Sequence, residues 1–221
     1  HYPLRRQRQM CIRDSVNTET AQFEMVYNPE FFSKLTPKQR LDVLKHEFYH
    51  LVFEHVTDRK PTNVGPRIWN FATDLAINSH LENLPEGCLK PGQGFFADFL
   101  PGKTAEQYLS LLLKKQKDDS KKGKQQKETD DDGEGTGTGS GEMSEDGFPK
   151  EGQFDSHEGW TENGEDSESQ QASDIARERI KDFVRKAAEE VAQQGSSGWG
   201  SIPANVRRDI LARIETRVNW R

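Results

Sequence analysis

A long low-complexity segment, residues 116–171, limits the possible folds of this 221-residue chain more than any other feature. It is rich in Lys, Asp and Gln at first, then reads GEGTGTGSGEMSEDG, and ends as an acidic Ser/Gln tract. Residues 117–170 carry 17 acidic and 6 basic side chains, a net charge of −11, whereas the whole chain carries −6, so the remainder carries +5. Such a composition buries too little apolar surface to offset the cost of ordering the backbone. We therefore predict a disordered acidic insert at 116–171, with the folded part in residues 16–115 and 172–221.

The first fifteen residues, HYPLRRQRQMCIRDS, show no helical or strand periodicity. The stretch MCIRDS resembles the translation of a transposase adapter used in sequencing libraries. We therefore expect residues 1–15 to be a sequencing artefact or a disordered tail, outside the fold.

The cysteines of the chain indicate its cellular compartment, and its apolar runs indicate whether it spans a membrane. Cys11 and Cys88 form neither a disulfide framework nor a CxxC metal site, which favours a reducing cytoplasm. The densest apolar run, residues 109–113, is far shorter than a membrane span, and no basic arm alternates with aromatic residues. We expect neither a membrane nor a nucleic acid as partner.

The folded part is predicted to be mostly helical, of the α+β class. Residues 23–27 alternate as a short strand that ends at a turn, Asn28-Pro29. A helix is expected to begin after Thr36, with Pro37 in its first turn and Gln39 closing a capping box, and to end near Asp58. Further helices are expected over residues 67–84, 104–115 and 173–194 and after Pro203, with a loop at 85–103 packed by Phe95, Phe96 and Phe99. The first of these helices places several apolar side chains and one histidine on one face: Leu41, Leu44, Phe48, Leu51, Val52 and His55.

The sequence His46-Glu47-Phe48-Tyr49-His50 is an HExxH motif within that helix. Residues four apart lie above one another on a helix, so the imidazoles of His46 and His50 can reach one Zn²⁺. Glu47 lies beside that face and suits a general base acting on water. The alternative is a chance pentapeptide on a solvated helix. A catalytic zinc site also needs a third protein ligand and an open position for water.

His55 follows the motif, but its spacing argues against a ligand role. At about 100° per residue on a continuous helix, it points to the side opposite His46. The HExxHxxGxxH pattern solves this problem with a glycine that ends the helix, and here that position is Phe53. We expect His55 to be a half-buried residue near the helix end.

A better third ligand lies in the second helix. Asn70, Asp74 and Asn78 follow at intervals of four residues on an otherwise apolar helix. A carboxylate on such a face is costly unless it is paired or bound to a metal, so Asp74 is the predicted ligand, with Asn70 or Asn78 orienting it. Alternatively, Asp74 pairs with Arg67 or joins a buried amide network. The fallback ligands are His80 and Glu82.

An aromatic island, FDSHEGW at residues 154–160, interrupts the acidic insert and predicts a docking segment. His157 in this island either returns to the site, where it contacts substrate or an oxyanion or blocks the open position, or is a solvated residue of a flexible tract.

The chain resembles an uncharacterised family of metallopeptidase domains that commonly precede a von Willebrand factor A-like domain in bacteria and phages. The resemblance covers about residues 17–221 and rests on four ordered segments: MVYNPEFFSKLTPKQRLDVLKHEFYHLVFEH, RIWNFATDLAINSHL, DSHEGW and IPANVRRDI. It implies a zincin-like fold, a zinc site built from His46, His50 and Asp74 with Glu47, and an AAA-type ATPase as a possible partner. The helix expected before the strand and the A-like domain are missing, which fits a truncated fragment.

These observations predict a zinc-dependent peptidase that acts on a protein or peptide substrate. In zincins an edge strand beside the metal-binding helix pairs with an extended peptide, and residues 23–27 could serve this purpose. The alternative is a metal-stabilised adaptor for an ATPase or a phage assembly, with the acidic insert as its docking arm. A third possibility is a zinc hydrolase that acts on other bonds.

Overall fold

The protein is described by a computed structural model that defines residues 12–17, 19–55, 61, 63–125, 148, 167–194 and 202–214. It divides into two compact units, residues 1–62 with 155–221, and residues 63–154. The described part is mostly helical with a two-stranded sheet, as the predicted α+β class requires. The elements are β1 (Ile12–Asn17), β2 (Gln22–Tyr27), α1 (Pro29–Lys34), α2 (Pro37–Val52), α3 (Pro66–Asn78), a 3₁₀ turn (Gly94–Phe96), α4 (Ala105–Gln125), α5 (Ser167–Gln194) and α6 (Ala204–Ile214).

The sheet of the first unit is an antiparallel hairpin. β1 pairs with β2 from Ile12 opposite Tyr27 to Asn17 opposite Gln22. In the turn, the Asn17 side-chain oxygen accepts hydrogen bonds from the backbone N–H groups of Glu19 and Thr20, at 2.9 and 3.0 Å. The prediction that residues 1–15 form no element is therefore wrong for residues 12–15. Backbone pairing with β2 forms this strand without the side-chain alternation that sequence reasoning requires. The interpretation of residues 1–15 as an artefact stays a prediction.

Helix α5 packs on the hairpin and on α2 and α6. Ala172 and Ala176 bury their methyl groups in a cluster with Val16 and Ala21. Arg179 donates hydrogen bonds to two carbonyls of the hairpin turn, Thr20 at 3.0 Å and Ala21 at 2.8 Å. This guanidinium satisfies turn carbonyls that the strand ladder leaves unpaired.

The capping prediction for α2 is confirmed, whereas its predicted end is wrong. The Thr36 hydroxyl accepts from the Gln39 backbone N–H at 3.3 Å, and the Gln39 side chain accepts from the Thr36 N–H at 2.9 Å. The helix ends at Val52, not near Asp58. The short helix α1 after the Asn28 cap was also missed, because Asn-Pro is equally a turn signal and a helix start.

The second unit is built on α3 and α4. Proline at the first position and Gly65 at the cap begin α3, which ends at Asn78 rather than at Leu84. Thr104 and Gln107 form the predicted capping box of α4. The predicted aromatic loop is confirmed, since Phe96 and Phe99 are buried in the core. That core contains Trp69, Phe71, Ala72, Leu75, Leu89, Phe96, Phe99, Ala105, Tyr108, Leu109, Leu112 and Phe148.

The predicted limits of the acidic insert need correction. Helix α4 continues to Gln125, ten residues beyond its predicted end, and α5 begins at Ser167. Phe148, within the predicted insert, is 1% exposed and packs against Phe71 and Phe95, with ring centroids 5.5 and 5.7 Å away. Residues 126–147 and 149–166, and with them the island at 154–160, lie outside the described residues. Among the helices that are described, none is long and apolar enough to cross a membrane.

Candidate metal centre

Helix α2 buries four polar residues alongside Val43, Tyr49 and Val52. Asp42, His46, Glu47 and His50 are 5%, 0%, 3% and 0% exposed, respectively. The apolar residues Leu41, Leu44 and Phe48, which sequence periodicity placed together on one face, are 54%, 41% and 36% exposed. Buried ionisable groups cluster at functional sites, so these residues mark a candidate site.

His46 and His50 face each other through the same ring nitrogen. Their Nε2 atoms lie 2.9 Å apart, and the rings meet edge to face with centroids 4.5 Å apart. Two nitrogens bound to a tetrahedral zinc at the usual Zn–N distance of about 2.0–2.1 Å lie about 3.3 Å apart. A separation of 2.9 Å is therefore within a few tenths of an ångström of that needed to share one ion.

Helix α3 carries the predicted polar line. Asn70, Asp74 and Asn78 are 8%, 2% and 3% exposed. The Asn78 amide donates to the Leu89 carbonyl at 2.9 Å, so this side chain ties α3 to the following loop. Its predicted role in orienting a metal ligand, like that of Asn70, stays a prediction. The fallback ligands are less enclosed, since His80 is half-buried and Glu82 is exposed.

Three of the predicted site residues come together. One possible ligand atom from each of His46, His50 and Asp74 lies within 4.8 Å of the others, and all three residues are buried. Two imidazoles and a carboxylate form a donor set that zinc binds in catalytic sites with three protein ligands. The cluster could therefore hold a metal ion, and its donor types are among those that zinc accepts.

Tyr49, the remaining polar residue of the motif, belongs to the packing of α2. It is 4% exposed, and its ring stacks on Phe53 with centroids 5.7 Å apart. Burial, and secondly the negative charge of Asp42, raise the pKa of the Tyr49 phenol above its ordinary value. Tyr49 is therefore a neutral phenol near pH 7.

His55 occupies a position that the sequence did not indicate. The expected placement opposite the metal-binding face assumed a continuous helix, but the chain reverses after Val52 and His55 is 3% exposed. Its Nδ1 lies 3.3 Å from Nδ1 of His50. The turn runs through Glu54 at a φ of +59°. Glycine or asparagine usually marks such a left-handed residue, so a glutamate there gave no sequence signal.

His157, the last predicted site residue, lies outside the described residues.

The structure thus defines a mostly helical HExxH domain with a buried His/His/Asp cluster. The chain belongs to the family described as "Putative metallopeptidase domain", whose model matches residues 5–221. No curated protein and no solved structure matches the chain.

Proposed function

We propose that the protein is a zinc-dependent peptidase with a zincin-like fold. One observation supports this function above the others: three buried residues of zinc-binding type converge, and a buried Glu47 lies next to one of them on α2. The family to which the chain belongs supports the same reaction class.

In this proposal, His46 and His50 bind zinc through Nε2, and Asp74 binds it through a carboxylate oxygen. Zinc supplies Lewis acidity and lowers the pKa of a water molecule that it binds. Asn70 and Asn78 lie one helical turn before and after Asp74 on α3, and we assign them the task of orienting its carboxylate.

Glu47 acts as the general base. Its carboxylate accepts a proton from the attacking water and then delivers that proton to the leaving amine. Burial of Glu47, at 3% exposure, keeps bulk water away from this proton transfer and strengthens electrostatic interactions at the site.

The substrate is proposed to be an extended peptide that pairs with β2. This strand has β1 on one side, and no other described strand lies on its second edge. Met25, Val26 and Tyr27 are 41%, 63% and 48% exposed, so apolar surface is available beside that edge. Pairing through main-chain hydrogen bonds would tolerate many peptide sequences.

The Glu47→Gln variant tests this function. Zinc-loaded wild type and variant are incubated with a casein digest and a random peptide library, and cleavage is followed by mass spectrometry. Glu47→Gln should keep equimolar zinc while its cleavage rate falls by at least about 100-fold, because the base is lost and the ligands remain. The control Glu30→Gln removes an exposed carboxylate of α1 and should change neither. Equal cleavage by Glu47→Gln and wild type would refute the proposal.

A metal-stabilised adaptor is the second candidate. The exposed apolar residues Leu41, Leu44 and Phe48 on α2 favour it, because grouped apolar side chains at a surface often mark a protein-binding site. The partner would be an AAA-type ATPase or a phage assembly, and the acidic insert would be the docking arm. Equimolar zinc in a wild type that cleaves no peptide would favour the adaptor over the peptidase.

We place this function in the cytoplasm. The support is compositional, since the chain has two cysteines, Cys11 and Cys88, that lie far apart in sequence. Fractionation of cells that express the protein would check the location, and recovery outside the cytoplasm would contradict it.

A further inference from the structure

His50 uses its two ring nitrogens on different neighbours. Its Nε2 lies 2.9 Å from Nε2 of His46, on the side of the metal-binding cluster. Its Nδ1 lies 3.3 Å from Nδ1 of His55. The rings of His50 and His55 meet edge to face, with centroids 5.3 Å apart. A third histidine therefore contacts the side of the proposed ligand that faces away from the cluster.

The backbone turn after α2 fixes His55 in this place. The His55 N–H donates to the His50 carbonyl at 3.0 Å, and the Glu54 N–H donates to the Leu51 carbonyl at 3.1 Å. These two bonds, with Glu54 in the left-handed region, form a Schellman motif. Residue 55 is thus tied through its backbone to the same residue that its side chain contacts.

A contact from a second helix supports the same turn. The Glu54 carboxylate pairs with Lys181 of α5 at 3.1 Å, and the two side chains are 17% and 27% exposed. The left-handed conformation costs a non-glycine residue about 1–2 kcal/mol, so a stabilising partner is needed to maintain it. The backbone hydrogen bonds of the turn and the ion pair between Glu54 and Lys181 therefore hold His55 in its position.

The tautomer of His50 decides which of its nitrogens can bind a metal. A neutral imidazole has one N–H donor and one nitrogen with a free lone pair. If Nε2 of His50 is to bind a cation, the proton must be on Nδ1, where it needs an acceptor. Nδ1 of His55 is at the right place, provided that His55 carries its own proton on Nε2.

We propose that His55 is a positioning residue that accepts a hydrogen bond from Nδ1–H of His50 and so holds the Nε2 lone pair of His50 toward the cluster. The inference deepens the proposed function, because it assumes that His50 binds zinc through Nε2. Metal-bound histidines more often donate to a carboxylate or a carbonyl. An imidazole acceptor orients the ligand without adding a negative charge to those of Asp74 and Glu47.

Two substitutions separate this role from simple packing. In His55→Asn, Oδ1 stands near the position of Nδ1 and can accept the same hydrogen bond, whereas His55→Leu fills similar space without an acceptor. Phe53→Leu is the packing control, because its ring lies 5.8 Å from His55 but offers no acceptor for His50.

The first measurement needs no metal. Long-range ¹H–¹⁵N NMR of the labelled 221-residue chain, at a pH where the imidazoles are neutral, reports which nitrogen of His50 carries the proton. Wild type, His55→Asn and Phe53→Leu should show His50 protonated on Nδ1, and His55→Leu should shift the proton toward Nε2. Protonation on Nε2 in wild type, or the same tautomer in all four proteins, would overturn the proposal.

The second measurement is zinc affinity by competition with a chelator. His55→Leu should bind zinc about 10–100-fold more weakly than wild type, the usual effect of removing a partner of a metal ligand, and His55→Asn should recover most of the loss. Equal weakening in both variants would refute the hydrogen-bond role. If wild type bound no zinc, the proposed function would fail, while the NMR result would still decide the role of His55.

Discussion

Helices α2 and α4 place residues at the same helical spacing but differ in how many polar side chains they bury. Helix α4 buries Ala105, Tyr108, Leu109 and Leu112. Helix α2 buries four polar residues, Asp42, His46, Glu47 and His50, together with Val43, Tyr49 and Val52, while Leu41, Leu44 and Phe48 remain 36–54% exposed. Both helices begin with a Thr/Gln capping box. The helices therefore differ in what they bury rather than in how they start.

This difference assigns the two helices separate tasks. Burying apolar area stabilises a fold, and α4 contributes to the aromatic core of its unit. Burying carboxylate and imidazole groups lowers stability unless protein partners or a ligand compensate, and such groups are concentrated at functional sites. The comparison predicts that substitutions of the buried residues of α4 change mainly stability and that substitutions of the buried histidines of α2 change mainly metal binding.

We expect the largest change in the free energy of unfolding when a leucine of α4 is replaced by alanine, and we compare it with the same replacement on α2. Leu112→Ala should lower the free energy of unfolding by about 2–5 kcal/mol, because Leu112 is fully buried in the core. Leu41→Ala, at a position 54% exposed, should change it by no more than about 0.5 kcal/mol. Urea unfolding of the two variants of the 221-residue chain measures both changes. Equal losses would show that the outer face of α2 is covered and would break the comparison.

Zinc should raise the free energy of unfolding, because two of its proposed ligands lie on α2. At a free zinc concentration about 100 times its dissociation constant, binding to the folded state alone stabilises a protein by about 2.7 kcal/mol. Wild type should gain this increment and His50→Ala should not, because it lacks a proposed ligand. Thermal unfolding with and without zinc checks the difference. The same gain in His50→Ala would place the zinc elsewhere.

The capping boxes should contribute similarly to both helices. Thr36→Ala and Thr104→Ala should each lower the free energy of unfolding by about 1 kcal/mol, because each removes the side-chain acceptor of an N-terminal backbone N–H. Thr→Ser at either position keeps the hydroxyl and serves as the control. Chemical denaturation gives the four values. If only one of the two Thr→Ala changes lowered the free energy of unfolding, the helices would differ at their N-terminal caps as well as in the side chains that they bury.

The smallest expected effect is a loss of folding stability at alkaline pH. Burial, as the main cause, raises the pKa of Tyr108 on α4 above its ordinary value of 10.0. The folded state then holds this proton more tightly than the unfolded state does. The corresponding stability is present below about pH 10 and is lost as pH rises through the folded-state pKa.

Tyr108→Phe tests this sign. The variant loses the 2.8 Å hydrogen bond to the Leu100 carbonyl at every pH, but its stability should fall less steeply than that of wild type above about pH 10. Denaturation curves across that range provide the measurement. Identical slopes would mean that Tyr108 does not titrate differently in the two states.

Local chemistry made much of this arrangement predictable. Thr36 with Gln39 and Thr104 with Gln107 were found as caps because their hydrogen bonds join residues only three apart. The four-residue spacing of His46 and His50, and of Asn70, Asp74 and Asn78, placed each set on one helical face. The convergence of Asp74 with the two histidines followed from the chemical need for a third ligand, and the structure brings these three residues together.

Features that depend on distant partners were not predictable. Strand β1 forms by pairing with β2 despite an irregular pattern, and Phe148 is buried by aromatic residues far from it in sequence. The end of α2 was missed because a glutamate takes the left-handed position, with Lys181, more than a hundred residues away, as its partner. The contact between His55 and His50 depends on that turn and was missed with it.

The zinc content of Asp74→Ala tests the central claim, a metal centre built from His46, His50 and Asp74, most directly. Wild type, Asp74→Ala and the control Asp98→Ala, which removes an aspartate with a 73% exposed side chain, are equilibrated with zinc, desalted and analysed by mass spectrometry for metal per chain. We predict equimolar zinc in wild type and Asp98→Ala and clearly substoichiometric zinc in Asp74→Ala. Equimolar zinc in Asp74→Ala would contradict the account.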